Sequence, residues 1–409
     1  MSDSSEIRRF FEGERARQIK FLSALVKQPS DNPPGDCAPH AELAAGLLEC
    51  LGLTVERHPV PDELVRKNGM ISATNLVVRR RFGEGKLIAL NAHGDVVPPG
   101  EGWKQDPYGA AIVDGWMYGR GVAVSKSDFV TYTWALLALE ALGRPLRGGV
   151  ELHFTYDEEA GGEIGPGWLL AQGISKPDYA IGAGFSYAVV NAHNGCLHLE
   201  VEVRGRSAHA AKPFTGVDAL EAATAILAAL YAWRRTLADR VSPTPGIGSP
   251  QLTVGLISGG INTNVVPDRV TFRLDRRMTP EESPEAVEAE LRSIIERAGG
   301  AVPEARVEVR RILLAEPLKP LPGSALLSNT LCRYATEVMG EPVTTSGVPL
   351  YTDARHYAAH GIPIVLYGAG PHSIEEANAH RADERLPLDD LYKATEVVAL
   401  SLASLLTEE

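Results

Sequence analysis

Three runs near the middle of this chain alternate apolar and polar residues: CLHLEVEVRG (196–205), RVTFRLDRR (269–277) and ARVEVRRILL (305–314). A period of two sends successive side chains to opposite faces of a sheet, so these strands have one buried and one solvated face. The strands on either side read differently. KLIALNAHGD (86–95) and GVELHFTYDEE (149–159) carry apolar runs suited to burial on both faces, and NLVVRRR (75–81), PDYAIGAG (177–184) and IPIVLYGAG (362–370) are further strands. Helical patterns separate them. Leu43, Leu47 and Leu51 share a face in 40–53, SDFVTYTWALLALEALG (127–143) places Gly143 for a left-handed cap, and helices follow over 323–338 and from about Leu388 to Leu406.

Such a change of style within one chain implies two kinds of sheet. The expected fold is α/β: a discontinuous, mainly parallel-sheet domain with helices on both faces, residues 1–194 and 316–409. An inserted α+β domain, residues 195–315, interrupts it, with two long helices, 216–239 and 283–298, on one side of its sheet. A chain of 409 residues is long enough for both.

Composition narrows the function. A net charge of −12 gives the chain no overall basic footprint, which argues against nucleic acid as a main partner. No apolar run reaches the length of a membrane helix, and MSDSSEIRRFFEGERARQ lacks the apolar core of a signal peptide. Cys37, Cys50, Cys196 and Cys332 show no CxxC spacing and read as thiols of a reducing compartment. A cytoplasmic protein without a membrane partner is expected.

Chemistry-capable side chains gather at strand ends. His93 and Asp95 follow one buried strand, where open α/β sheets form their ligand crevice. Glu158 and Glu159 follow another, beside AGG (160–162). Adjacent carboxylates repel unless a cation or shared proton compensates, so one acid on a metal and its neighbour as general base is a sensible division. Taken singly, each has an ordinary reading: a loop histidine, a solvated acid pair. His380, in NAHRADER (378–385), follows a glycine-rich strand end where His372 competes with it, and His209 in SAHAAKP (207–213) alone would read as a surface residue.

In their order, HGD, GWxxDPYG (102–109), DGWMYGRG (114–121), DEE, RGRSAHAAKP (204–213), GGINTNVVPD (259–268), RLDRR and NAHRADE make the chain resemble the di-zinc deacylases and exopeptidases, which include acetylornithine deacetylase, succinyl-diaminopimelate desuccinylase, aminoacylase and carboxypeptidase G. The likeness spans nearly the whole chain, from SDNPPGD (30–36) to the last helix. It implies a ferredoxin-like lid or dimerisation domain, a homodimer and a small-molecule carboxylate substrate. It also implies metal ligation by His93, Glu159 and His380, Glu158 as general base, Asp95 orienting His93, and His209 steadying an oxyanion. Asn264 and Arg277 would hold the substrate's carboxylate, with Thr352 and Arg355 of TDARHYAAHG (352–361) lining the pocket; Asp353 there either contacts substrate or caps the helix that begins beside it.

Two positions depart from that pattern. The turn GRGVAVSKSDF (119–129) carries Val124 where the family has a metal-bridging aspartate, with Lys126 retained, and Ala183 in IGAGF falls where a second acidic ligand is expected. Asp128 could substitute as a bridge, though a cap in the first turn of its helix is the simpler role. The remaining His₂Glu set is an accepted arrangement for one catalytic zinc. Three readings stay open: an amide hydrolase of N-acyl amino acids or related carboxylates with one zinc per chain; a metal-independent enzyme using Glu158 for isomerisation, elimination or cyclic-amide chemistry; and a non-catalytic carboxylate-binding protein.

Overall fold

The computed structural model describes residues 3–407. They form two compact units. One runs up to Asn191 and resumes over Pro320–Ser346 and from Thr352; the other comprises Ala192–Lys319 and the short segment Gly347–Tyr351. That short segment's membership is invisible in the sequence, because backbone bonds far apart in the chain secure it. Gly347 N donates to Pro245 O at 2.7 Å, and Asn194 N to Val348 O at 3.1 Å.

An eight-stranded sheet runs, edge to edge, through Val55–Pro59, Thr74–Arg81, Gly149–Thr155, Leu87–His93, Tyr179–Gly182, Ile364–Leu366, Ala188–His193 and Thr344–Val348. The third to sixth of these are parallel, and antiparallel pairs flank them. Gly149–Thr155 is buried throughout and Leu87–His93 at all but its first residue, as their apolar runs require. Their register sets His93 opposite Thr155, so the two strands end side by side. Phe129 of helix Lys126–Ala141 stacks on Phe154 with ring centroids 3.9 Å apart, fixing that helix against the sheet.

Some expectations fail locally. The helix Lys126–Ala141 ends on Leu142 in an extended conformation, and Gly143 is not left-handed, so the glycine cap does not form. Only Ile364–Leu366 of the run 362–370 is strand. The glycines that follow instead allow close backbone approach: a Cβ on Gly368 would lie 2.2 Å from Asp128 Oδ1.

The second unit pairs Gln251–Gly259, Arg269–Met278, Gly195–Arg204 and Arg306–Ala315, in that spatial order, all antiparallel. With helices Ala219–Arg234 and Pro284–Gly299 between strands, this is the βαββαβ ferredoxin-like arrangement. Leu197, Leu199, Val201 and Val203 alternate inward to meet Val270, Phe272 and Leu274. Glu200 and Glu202 point the other way, paired with Arg273, Arg310 and Arg269. Asp218 and Ser283 cap the two helices through their side chains. No helix among the described residues is long and apolar enough to cross a membrane.

Leu199 is fully buried at the centre of this second core. Leu199→Ala should destabilise that core by about 2–5 kcal/mol, through lost burial and a residual cavity, as read from the denaturant midpoint.

Candidate active site

The strand Leu87–His93 delivers His93 to its C-terminal end, and Gly94 carries the chain past Tyr156 where a Cβ would come within 2.4 Å of the ring. Asp95, next in line, is fully buried. Its carboxylate accepts from Glu158 N at 3.2 Å, Glu159 N at 3.1 Å and Asn32 Nδ2 at 3.0 Å. The aspartate therefore holds the glutamate pair by its backbone. His93 Nδ1 donates to the Asp95 carbonyl at 2.9 Å, closer than the 3.4 Å to the carboxylate, and this turns Nε2 toward Glu158 Oε2 at 3.9 Å.

Glu158 and Glu159 occupy a 3₁₀ turn that Gly161 ends in a left-handed conformation. Burial pushes the Glu158 carboxyl up to about 8, reinforced by Glu159, Asp95 and Asp157 and opposed by His93. Burial would lower the His93 imidazole, but Glu158, Asp95 and Glu159 together hold it well above its ordinary value. Asp157 and Asp353 are also driven up, first by burial and then by neighbouring acids. Carboxylates outnumber cations here, which suits a site that receives a positive charge.

Glu159 Oε1 lies 3.3 Å from His380 Nε2. His380 sits in a loop where Asn378, His380 and Asp383 all take positive φ. The loop is tied down at Asp383, whose Oδ1 accepts from Lys104 N and Gln105 N, and at Glu384, which forms a buried 2.7 Å ion pair with Arg120. Glu384 Oε1 also accepts from Ala123 N at 3.2 Å. One carboxylate thus braces both the His380 loop and the turn carrying Val124. Sequence reasoning missed this pair, although Arg120 lies in a quoted motif and Glu384 in another.

In that turn Val124 packs against the core, and the Val124–Ser125 peptide is cis. The Ser125 hydroxyl accepts from His93 N at 2.8 Å and donates to His93 O at 3.0 Å, clipping the turn to the strand that carries His93. Lys126 is buried, its Nζ donating to Leu25 O and Gln28 O at 3.1 Å each. Asp128 makes no side-chain cap to its helix. Its carboxylate accepts from Ala369 N at 2.8 Å and Gly184 N at 3.3 Å, joining two strand ends, and burial pushes it up to about 7.

Asp353 does not cap its helix either. The residue before it, Thr352, makes a local turn contact instead, its Oγ1 accepting from Ala354 N at 3.2 Å. Asp353 instead lies buried against Gly162, where a Cβ would approach its Oδ1 to 2.2 Å. Arg355 bonds Gly161 O and pairs with Glu163 at 2.9 Å, so it steadies the loop after the glutamates. In the second unit, exposed His209 and Asn264 stand on paired segments, with Ala210 N donating to Asn264 O at 3.0 Å. Arg277 Nε donates to Asp275 Oδ1 at 3.0 Å.

Val124 and Ala183, the two positions that depart from the resemblance, offer no donor atoms, and both pack against the core. For one ion the donor chemistry suits. Two ligand atoms each about 2.0 Å from a tetrahedral ion are about 3.3 Å apart, the Glu159–His380 spacing. The Nδ1 bond to Asp95 leaves His93 Nε2 as that ring's available donor. His93, Glu159 and His380 are not gathered within 4.8 Å of one another; among the described residues only Cys196, His198 and Asp275 meet that spacing.

Residues 89–404 match Peptidase family M20/M25/M40. The chain is 30% identical over 382 residues to acetylornithine deacetylase of Edwardsiella ictaluri, covering 91% of this chain and 93% of the relative. It is 28% identical over 394 residues to succinyl-diaminopimelate desuccinylase of Acidiphilium cryptum, covering 93% and 96%. Among solved structures, a dinuclear metal binding peptidase of Bacillus subtilis superposes with a TM-score of 0.68 at 18% identity over 97% of this chain and 99% of that one, a likeness of fold.

The brace at Glu384 predicts a large stability effect, because its removal leaves the Arg120 guanidinium buried and unpaired. Glu384→Ala should cost about 3–5 kcal/mol in chemical denaturation.

Proposed function

We propose, on the premise that this chain belongs to peptidase family M20/M25/M40, that it hydrolyses the amide bond of a small N-acylated amino acid or related carboxylate at a site holding one metal ion. The family and the relatives place the chain among hydrolases of amide bonds. The observation that carries the finer reading is the Glu158–Glu159 turn: Asp95 holds it, one acid faces His93, and the other pairs with His380.

Glu158 is the proton-transfer group. A carboxyl pushed up to about 8 is a stronger base than an ordinary glutamate, able to take a proton from water and return it to the leaving amine. His93, Glu159 and His380 would hold the ion, which when bound polarises the acyl carbonyl and acidifies water. Asp95 keeps both glutamates and His93 in register. Arg277 offers a guanidinium for the substrate carboxylate, with Asn264 beside His209 as a further polar contact. His209 Nδ1 accepts from Ala211 N at 3.0 Å, so its neutral ring carries the proton on Nε2, ready to donate to an oxyanion. The edge strand Gln251–Gly259, with Leu256, Ile257 and nearby Ile261 exposed, is the surface we assign to homodimer formation, testable by sedimentation.

Three results would check this reading. Glu158→Gln should lower kcat on N-acyl amino acids about 10²–10⁴-fold with little change in KM; unchanged turnover would remove Glu158 from the mechanism. Since the carboxylate is the active form, kcat/KM should climb with pH through the Glu158 ionisation and then level. A bound cation favours the carboxylate, so loading should move that limb to lower pH. Finally, His380→Ala should lose one equivalent of bound metal relative to the unaltered protein, measured by elemental analysis together with deacylase rate.

A further inference from the structure

On the face of the four-stranded sheet turned away from its own core, where Cys196 is buried and His198 half-buried, antiparallel register sets Asp275 opposite His198 and Arg277 opposite Cys196. Residues 197, 199, 201 and 203 fill the core, so 196 and 198 project to the other face, as do 275 and 277 on the neighbouring strand. His198 Nε2 lies 2.8 Å and Cys196 Sγ 3.5 Å from the same oxygen, Asp275 Oδ2. The three ligand atoms all fall within 4.8 Å of one another. The other oxygen, Oδ1, accepts from Arg277 Nε at 3.0 Å.

We propose that Cys196, His198 and Asp275 form a zinc site in the inserted unit, with its fourth position open to an anion. Thiolate, imidazole and carboxylate are the ligand types zinc takes, and the thiolate disfavours magnesium or calcium. The spacing is of the right scale. Ligand atoms about 2.0–2.3 Å from a tetrahedral zinc lie about 3.3–3.5 Å apart, so the Cys196–Asp275 edge already fits and the His198–Asp275 edge must open by about 0.5 Å. His198 is partly exposed, with 36% of its side chain accessible, and has room to make that adjustment. Arg277 supports the site as an outer partner does, holding one oxygen of the carboxylate and aiming the other. Its charge also sets the ligand preference. The thiolate and carboxylate balance the two charges of zinc, so the guanidinium leaves the site net positive and selects an anion in the fourth place. Loading releases the Cys196 thiol proton and replaces the His198–Asp275 hydrogen bond with two metal bonds.

Cobalt(II) tests this independently of catalysis. A thiolate on cobalt gives a ligand-to-metal charge-transfer absorption in the near ultraviolet, whereas His93, Glu159 and His380 offer no sulfur. Titrating the metal-free full chain with cobalt should produce that absorption, saturating at one equivalent of thiolate-bound ion. It should vanish in Cys196→Ser, weaken at least tenfold in cobalt affinity in His198→Gln, and persist in His380→Ala. Circular dichroism confirms folding of each variant, and His198→Gln, a partly exposed position, decides the matter if Cys196→Ser does not fold. No charge-transfer band in the unaltered protein, or a band that survives in folded Cys196→Ser or keeps its affinity in His198→Gln, overturns the proposal.

Discussion

A buried carboxylate that accepts three N–H groups organises this protein's chemistry. Asp95 could not be buried without partners, and the partners it takes are the backbones of Glu158 and Glu159 and the amide of Asn32. Two adjacent strands end side by side, and Asp95 ties the loop after one to the turn after the other. His93, bonded to the same residue's carbonyl, is aimed by that arrangement. Both glutamates therefore keep fixed positions despite their mutual repulsion.

Charge balance explains much of what surrounds this core. Asp157, Glu158 and Asp353 are all pushed toward their neutral forms by burial and by one another. Val124 and Ala183 add no further negative charge to this crowd. The buried Arg120–Glu384 pair is separate from that balance and mechanical in effect, bracing the His380 loop against the Val124 turn.

The two kinds of sheet were legible because burial leaves a periodic trace: alternation in 196–205 and 269–277, continuous apolar runs in 86–92 and 149–155. His93, Asp95, Glu158, Glu159 and His380 were legible as motifs, and the structure places them around two adjacent strand ends. What a local pattern cannot carry was misread or missed. Asp128 and Asp353 each precede or begin a helical turn and so looked like caps, yet each is directed into a contact made by a distant part of the chain. The partner of Arg120 lies 264 residues away, a pairing only tertiary structure reveals. Ser125 follows Val124 in the turn, and its hydrogen bonds to the His93 backbone carry no sequence signature.

The most direct test of the single-ion account is to titrate metal-free protein against buffered free zinc, so that uptake by the separate Cys196 site does not shape the curve, with deacylase rate as the readout. Activity should rise from near zero along a hyperbolic one-site isotherm, and His380→Ala should abolish the response. A sigmoidal rise requiring two ions, or full activity in the metal-free protein, would contradict it.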